Sequence, residues 1–405
     1  MICNSKVSYY FYITVIGNAE FGEKMGSKRS IFEEVSELET KSVNSNIKTG
    51  IIEMAEHNSD RAQIRFWLSC LAVLLVFMIL VGGLTRLTDS GLSITEWKPI
   101  LGAFPPISDQ SWNIEFDKYK QIPEYIMQNS GMSLSEFKII YWWEWGHRQL
   151  GRIIGLVWLA GFSWLLLSKK IPVGWTGRFL MLGALGGFQG AIGWWMVSSG
   201  LSNDMLDVAS YRLATHLGIA FIILGFILWY TFTMTLSEAD LLSRQRTRDH
   251  SMLSKSTGLM HLVFLQILLG ALVAGIDAGR NYIDWPLMAG GFLPPDLFAL
   301  KPIWRNFFED DGLVQFIHRI SGYILFLFAI YVWFRSRKSG NLKIKKAINL
   351  VMFIIFLQMA IGVITVMNSA PWHIAIFHQF GAIVLWYFVI KARFLAAFPP
   401  KQSIS

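Results

Sequence analysis

LVGGLTRLTDSGLSITEW (80–97) and LLGALVAGIDAGRNYIDW (268–285) align without a gap, and that alignment decides how the chain is organised. Asp89 falls on Asp277, Gly91 on Gly279, Glu96 on Asp284 and Trp97 on Trp285. Further matches follow in the same order. EWGHRQLGRIIG (144–155) meets QFIHRISGYILF (315–326), QGAIG (189–193) meets QMAIG (358–362), and His216 meets His378. One apolar match arises easily by chance, but an ordered series does not. The chain therefore reads as a tandem duplication with halves at 61–240 and 241–397. Each half carries four apolar runs, and an even number keeps the halves parallel in a bilayer rather than inverted.

The apolar runs lie at roughly 66–85, 147–168, 178–198, 212–235, 256–276, 313–334, 346–367 and 373–395, each near the length that spans a bilayer. Of the 405 residues 53% are hydrophobic and only 16% charged, which places the chain in the membrane class. The expected fold is an all-α integral membrane protein: eight transmembrane helices as two tandem four-helix bundles related by a parallel pseudo-two-fold repeat. The net charge of +8 does not point to nucleic acid, because the basic residues sit in short loops. Lys169, Lys170, Arg244, Arg246, Arg248, Lys255, Arg335, Arg337, Lys338, Lys343 and Lys345 share one side, while the loops at 199–211 and 368–372 hold no Lys or Arg. The positive-inside rule then places both termini in the cytoplasm. Two long loops, 86–146 and 277–312, face the other side. Their Pro, Trp and Gly content predicts packed caps.

The stretch 1–60 reads as a disordered or non-native N-terminal tail, with Met25 and Met54 as alternative starts. Its acid-rich portion, 33–60, is unlike an Arg-rich, acid-poor mitochondrial transit peptide and points to a bacterial inner membrane. Cys3 and Cys70 are too few for a disulfide framework or a thiolate metal site.

Any metal must then be held by histidine. Four of the eight histidines, His147, His216, His318 and His378, lie on even-numbered runs, each expected within about two turns of the helix start. Two per half at one depth suits a planar macrocycle clamped between axial imidazoles, and haem iron accepts such ligands. Interhelical hydrogen bonding is the plain alternative. Zinc or copper is another, weakened by the lack of ligands at typical zinc spacing. His57, His250, His261 and His373 fall outside the repeat. Arg148 and Arg319 each follow a histidine and could pair with haem propionates or snorkel to headgroups. Arg86, Arg152 and Arg212 are weaker candidates. Gln189 and Gln358 read as interhelical donors, and Gly151–Gly155 with the run 183–193 as close helix packing. The repeat breaks at one informative place. Glu144 precedes His147 by one helical turn, whereas Gln315 stands in its place before His318. A carboxylate beside one pair and an amide beside the other suggests a reactive first site and an electron-carrying second site.

The segments 82–99, 144–152 and 317–319, with the helices of His216 and His378, resemble the haem A synthase family over about residues 62–395. The resemblance is to the proteobacterial and mitochondrial subgroup, which lacks the loop cysteine pair of another subgroup. It implies oxidation of the C8 methyl of haem O to a formyl group, giving haem A for terminal oxidases. It further implies a resident haem b on His318 and His378, a substrate haem O on His147 and His216, and an essential Glu144. The implied partners are haem O synthase, terminal oxidase subunit I or its assembly factors, an electron carrier and the lipid bilayer; a homo-oligomer stays open. Two other readings fit the histidine pattern. A bis-haem membrane cytochrome could take electrons from quinol, and a transporter could share the tandem repeat, although its site would lie nearer the midplane.

Overall fold

A computed structural model describes residues 37–201 and 205–401, with side chains from residue 58. The described residues before Glu56 are separate from the compact unit that begins there, and everything below concerns that unit. Of the expected tail, residues 1–36 lie outside the described residues, and the backbone from Glu37 is helical. Among the described residues eight helices are long and apolar enough to cross a membrane. They are α1 (Glu37–Leu87, with its apolar part from Asn58), α2 (Leu134–Leu167), α3 (Thr176–Gly200), α4 (Ser210–Thr233), α5 (His250–Gly275), α6 (Asp311–Ser336), α7 (Leu342–Met367) and α8 (Trp372–Ala397). The all-α expectation of eight spanning helices holds.

Helix starts depend on polar caps that an apolar pattern does not contain. The largest correction is at α2, which begins at Leu134 rather than 147. Ser133 and Glu136 form a reciprocal capping box there, so the helix is stable well before its apolar stretch. His147 consequently lies deep inside its helix, not within two turns of its start. His216, His318 and His378 keep the expected position near theirs. Asp249 similarly caps α5 by accepting from the Met252 N–H at 3.0 Å. Asn341 caps α7 through the N–H groups of Lys343 and Ile344.

In lipid, helices associate by close packing rather than by the hydrophobic effect alone. Helix α4 is the most enclosed, with half of its apolar window buried. It packs on both α5 and α8. The Trp386 indole of α8 donates to the Phe221 carbonyl of α4 at 2.9 Å. A Cβ at Gly275 would lie 2.9 Å from the Ser210 Cα, so α5 and α4 meet backbone to backbone.

Both long connections are packed. Within the first, helices Asp109–Tyr119 and Pro123–Met127 set Trp112, Phe116 and Tyr119 against Phe137 and Tyr141 of α2 in a small separate core. The Phe116 and Phe137 rings lie 4.9 Å apart. The second is a tighter set of turns fixed by Asn306, fully buried and bonded to Leu300 and Ile303. An ion cluster joins the start of the two connections. The Arg86 guanidinium meets Asp89 at 2.8 Å, Asp207 at 3.2 Å and Asp277 at 3.1 Å. Asp89 and its repeat mate Asp277 both adopt left-handed backbone, φ 48° and 53°, a conformation Asp tolerates.

Candidate functional site

Each of the four histidines is seated on a glycine of a neighbouring odd-numbered helix. A Cβ on Gly82 would lie 2.8 Å from His147 Cε1, and on Gly270 3.1 Å from His318 Cε1. The same test gives 2.9 Å from Gly193 to His216 and 3.0 Å from Gly362 to His378. Gly82 matches Gly270 in the repeat, and Gly193 matches Gly362. The imidazoles therefore occupy space that any side chain on the facing helix would take.

All four rings line one continuous, largely apolar cavity of about 910 Å³. That is at the upper end of sizes for small-molecule sites. The rings pair within halves: His147 lies within electrostatic reach of His216, and His318 of His378. Among the described residues no cluster of three or more His, Cys, Asp or Glu could hold a bare ion. Two protein ligands per site suit a metal that brings the rest of its coordination with it, as haem iron does.

The hydrogen-bond partners of the rings alternate. The Gln189 amide lies 3.2 Å from His216 Nδ1 and donates to the His216 carbonyl at 2.9 Å. Gln266 does the same for His318, at 3.2 Å and 3.0 Å, and is itself held by Ser321. His147 Nδ1 and His378 Nδ1 are buried with no partner. Where the second half has Gln266, the gapless alignment puts Met78 in the first. Gln189 thus anchors a histidine as well as a helix. Gln358, expected to act alike, leaves its Nε2 without a partner.

Glu144 is 3% exposed, and both its oxygens are saturated. Oε2 accepts from Ser93 Oγ at 2.8 Å and the Ile94 N–H at 2.7 Å. Oε1 accepts from Arg148 Nε at 3.0 Å and Nη2 at 2.6 Å. Arg148 also donates to the Ile94 and Glu96 carbonyls, at 2.7 Å and 2.8 Å. Arg319 makes the matching bonds in the second half, to Tyr282 at 2.7 Å and Asp284 at 3.0 Å. Both arginines line the cavity, yet these donors are directed at loop backbone rather than left for propionates. Their visible work is to hold each connection over its histidine pair. Gln315 donates to the Ala278 carbonyl at 2.6 Å, leaving its Oε1 and Arg319 Nε buried and unpartnered.

Other candidates fall into place around this core. Arg86 belongs to the ion cluster at the cavity wall. Arg152 binds the Lys98 and Pro99 carbonyls. Arg212 stacks on Trp195, away from the cavity. His373 is exposed against Trp372 and does not reach the cavity. His250 and His261 are exposed as well, and His57 has no described side chain.

Sequence reasoning misses Glu124, a cavity residue in the first connection that is 3% exposed. Tyr119 and Asn129 donate to its Oε1, at 3.1 Å and 3.4 Å. Burial pushes its carboxyl up to about 8, helped by the Asp207, Asp89 and Glu144 carboxylates and opposed by the Tyr119 hydroxyl. No motif marks it, because its burial comes from tertiary packing. Asp207 is likewise held above its ordinary range, since burial outweighs the attraction of Arg86. Gln266, a polar side chain amid apolar sequence, did carry a readable signal.

A family model described as cytochrome oxidase assembly protein matches residues 65–390. The chain is 59% identical over 380 residues to a protein of Dinoroseobacter shibae named haem A synthase, covering 94% of this chain and 99% of that one. It is 51% identical over 378 residues to the haem A synthase of Paracoccus denitrificans, covering 93% and 98%. It is 50% identical over 386 residues to that of Cereibacter sphaeroides, also covering 93% and 98%. With the histidine pairs, the glycine seats and this match along nearly the whole chain, the protein belongs to the haem A synthase family.

Proposed function

We propose that the chain oxidises the C8 methyl of haem O to a formyl group, with haem O as substrate on His147 and His216 and a resident haem b on His318 and His378. The residues fit such groups: each pair sits on matching glycines in an apolar cavity, and each keeps one buried imidazole nitrogen without a partner. When bound, the resident haem would supply one-electron redox chemistry. The observation that carries the reading is the Glu144–Arg148 pair beside the first histidine couple, against Gln315 beside the second.

Turning a methyl into a formyl group, with water supplying the oxygen, replaces two hydrogens by that oxygen and releases protons and electrons, the electrons passing to an external electron carrier, so the first site must shed both. Glu144 is the carboxylate one turn from His147, where it can hold or accept a proton. Its four donors keep it oriented and, through Ile94, tie it to the loop over the cavity. Arg148 stabilises the carboxylate form and fixes the same loop. His216, anchored by Gln189, is the better-oriented ligand of the pair, and His147 is the freer one. The tandem repeat supports a parallel pseudo-two-fold relation between the halves. The basic loops support cytoplasmic termini, with both sites toward the periplasmic face of a bacterial inner membrane. Haem O synthase, terminal oxidase subunit I and its assembly factors are the partners this reading implies.

Glu144→Gln tests the reading directly. Haem A output should fall by about 10²–10⁴-fold while haem b stays bound. Chromatography of the extracted haems reads both, and normal haem A with normal haem content would sink the proposal. Haem b alone from the unmodified chain, supplied with haem O, would favour a two-haem electron-transfer cytochrome.

A further inference from the structure

Of the glycines expected to bring helices together in the first half, Gly151, Gly183 and Gly193 do meet Met78, Trp158 and His216, but four others do not pack. A side chain begun at Gly155 of α2, or at Gly186, Gly187 or Gly190 of α3, would meet nothing within 4 Å. These four positions are exposed, and they line the cavity that also holds His147 and His216. The close-packing expectation is therefore corrected at these four positions, where the glycines open a gap between α2 and α3 beside the Gly183–Trp158 contact. The same alignment that pairs His147 with His318 puts Phe326 opposite Gly155. The α3–α7 alignment puts Phe356 opposite Gly187. Those two rings face each other across α6 and α7 with centroids 6.5 Å apart, and neither lines the cavity. The first half is open sideways where the second carries two neighbouring aromatic rings, Phe326 partly buried and Phe356 52% exposed. His147, on the same helix as Gly155 and lining the same cavity, has its Nδ1 buried and unpartnered.

We propose that the gap between α2 and α3, bordered by Gly155 and Gly187, is a lateral passage for the long apolar isoprenoid tail of the substrate haem. Phe326 and Phe356 close the matching place at the second site, which then accepts only a haem without such a tail. This rests on the assignment of haem O to the first site. The chemistry agrees with the position. A flexible hydrocarbon chain needs an apolar route with no fixed side chains in it, and a membrane-facing slot lets it lie among lipid tails while the macrocycle stays between the histidines. A phospholipid acyl chain shares that chemistry, so the test separates the two.

The full chain, carrying its resident haem, is placed in nanodiscs of one phospholipid and titrated with haem O and, separately, with haem b. Visible absorbance reads binding at the first site. For Gly155→Phe/Gly187→Phe the affinity for haem O should fall by about tenfold or more, with haem b affinity unchanged within about twofold. Gly155→Ala/Gly187→Ala should bind both as the unmodified chain does. An intact resident-haem spectrum reports folding, and Gly187→Phe alone is read in the same way if the double variant lacks it. Unchanged haem O affinity overturns the proposal, as does an equal loss of haem O and haem b. A change confined to co-purifying phospholipid overturns it too, since the slot would then hold an acyl chain. Haem A output of the unmodified chain reads the reaction separately. Tail-selective binding without haem A would keep the passage and remove the oxidation; haem A without tail selectivity would do the reverse.

Discussion

The two halves keep the same framework and differ at the few positions that touch what they hold. Gly82 and Gly270, Gly193 and Gly362, and the backbone bonds of Arg148 and Arg319 are repeated almost bond for bond. Glu144 against Gln315, Met78 against Gln266, and Gly155 with Gly187 against Phe326 with Phe356 are not. The first half has a buried carboxylate, an open side and its amide-bonded histidine, His216, on its fourth helix. The second has an amide, two aromatic rings at that side and its amide-bonded histidine, His318, on its second helix. If one half retains a haem and the other alters one, as proposed, these differences around one histidine frame follow that division.

The largest expected effect comes from removing a ligand on the retaining side. His318→Met should weaken haem retention at the second site by more than the roughly 100-fold that loss of an outer hydrogen-bond partner causes. Its low-spin absorption should change, and an unaltered spectrum would break the comparison at its base. Met78→Gln gives His147 the partner that His318 already has. Binding of haem O should tighten by about tenfold, while haem A formation slows, if freedom of His147 matters to turnover. Equal binding with faster turnover would reverse that argument.

A smaller effect is expected from Gln315→Glu, which recreates the Glu144–Arg148 pair beside Arg319 Nε. Buried pairs roughly break even, so stability should move by no more than about 1 kcal/mol in a thermal melt. The second site should still oxidise nothing, because its side stays filled. Haem A made there would show that the carboxylate alone separates the halves. The smallest effect concerns Glu124, which has no counterpart in the second connection. Its folded-state carboxyl lies near 8 against an ordinary 4.5, so the folded state binds the proton more tightly. Stability from that carboxyl is complete below its ordinary value and is lost as pH rises through the folded value. Glu124→Gln removes the loss. It should raise the melting midpoint by about 2–4 °C above pH 8 and leave it unchanged near about pH 5.

The framework was readable because it repeats. Histidines in register, apolar runs of spanning length and the Glu144–Gln315 break all survive as linear patterns. What escaped depends on contacts across the chain. Ser133 and Glu136 start α2 far ahead of its apolar stretch, so apolar length alone misplaced that boundary. Arg148 and Arg319 sit beside ligands, yet their donors serve backbone carbonyls many residues earlier in the chain. A glycine run looks the same whether a helix closes on it or leaves it open, and only the absence of neighbours within 4 Å at Gly155 and Gly187 tells the two apart. Glu124 carries no local signature at all.

Gly82 and Gly83 are consecutive but serve opposite ends of the polypeptide. The first seats His147, while the second leaves room for the Gln379 side chain, whose amide donates to the Ile79 carbonyl at 2.7 Å. Gln379 follows His378 directly in α8. The Ile79 carbonyl and the notch at Gly83, both in α1, are therefore filled by a residue 300 positions beyond Ile79. Gly82, Gly83 and Gln379 all line the cavity, so parting α8 from α1 would open its wall beside His147 and beside His378 at once.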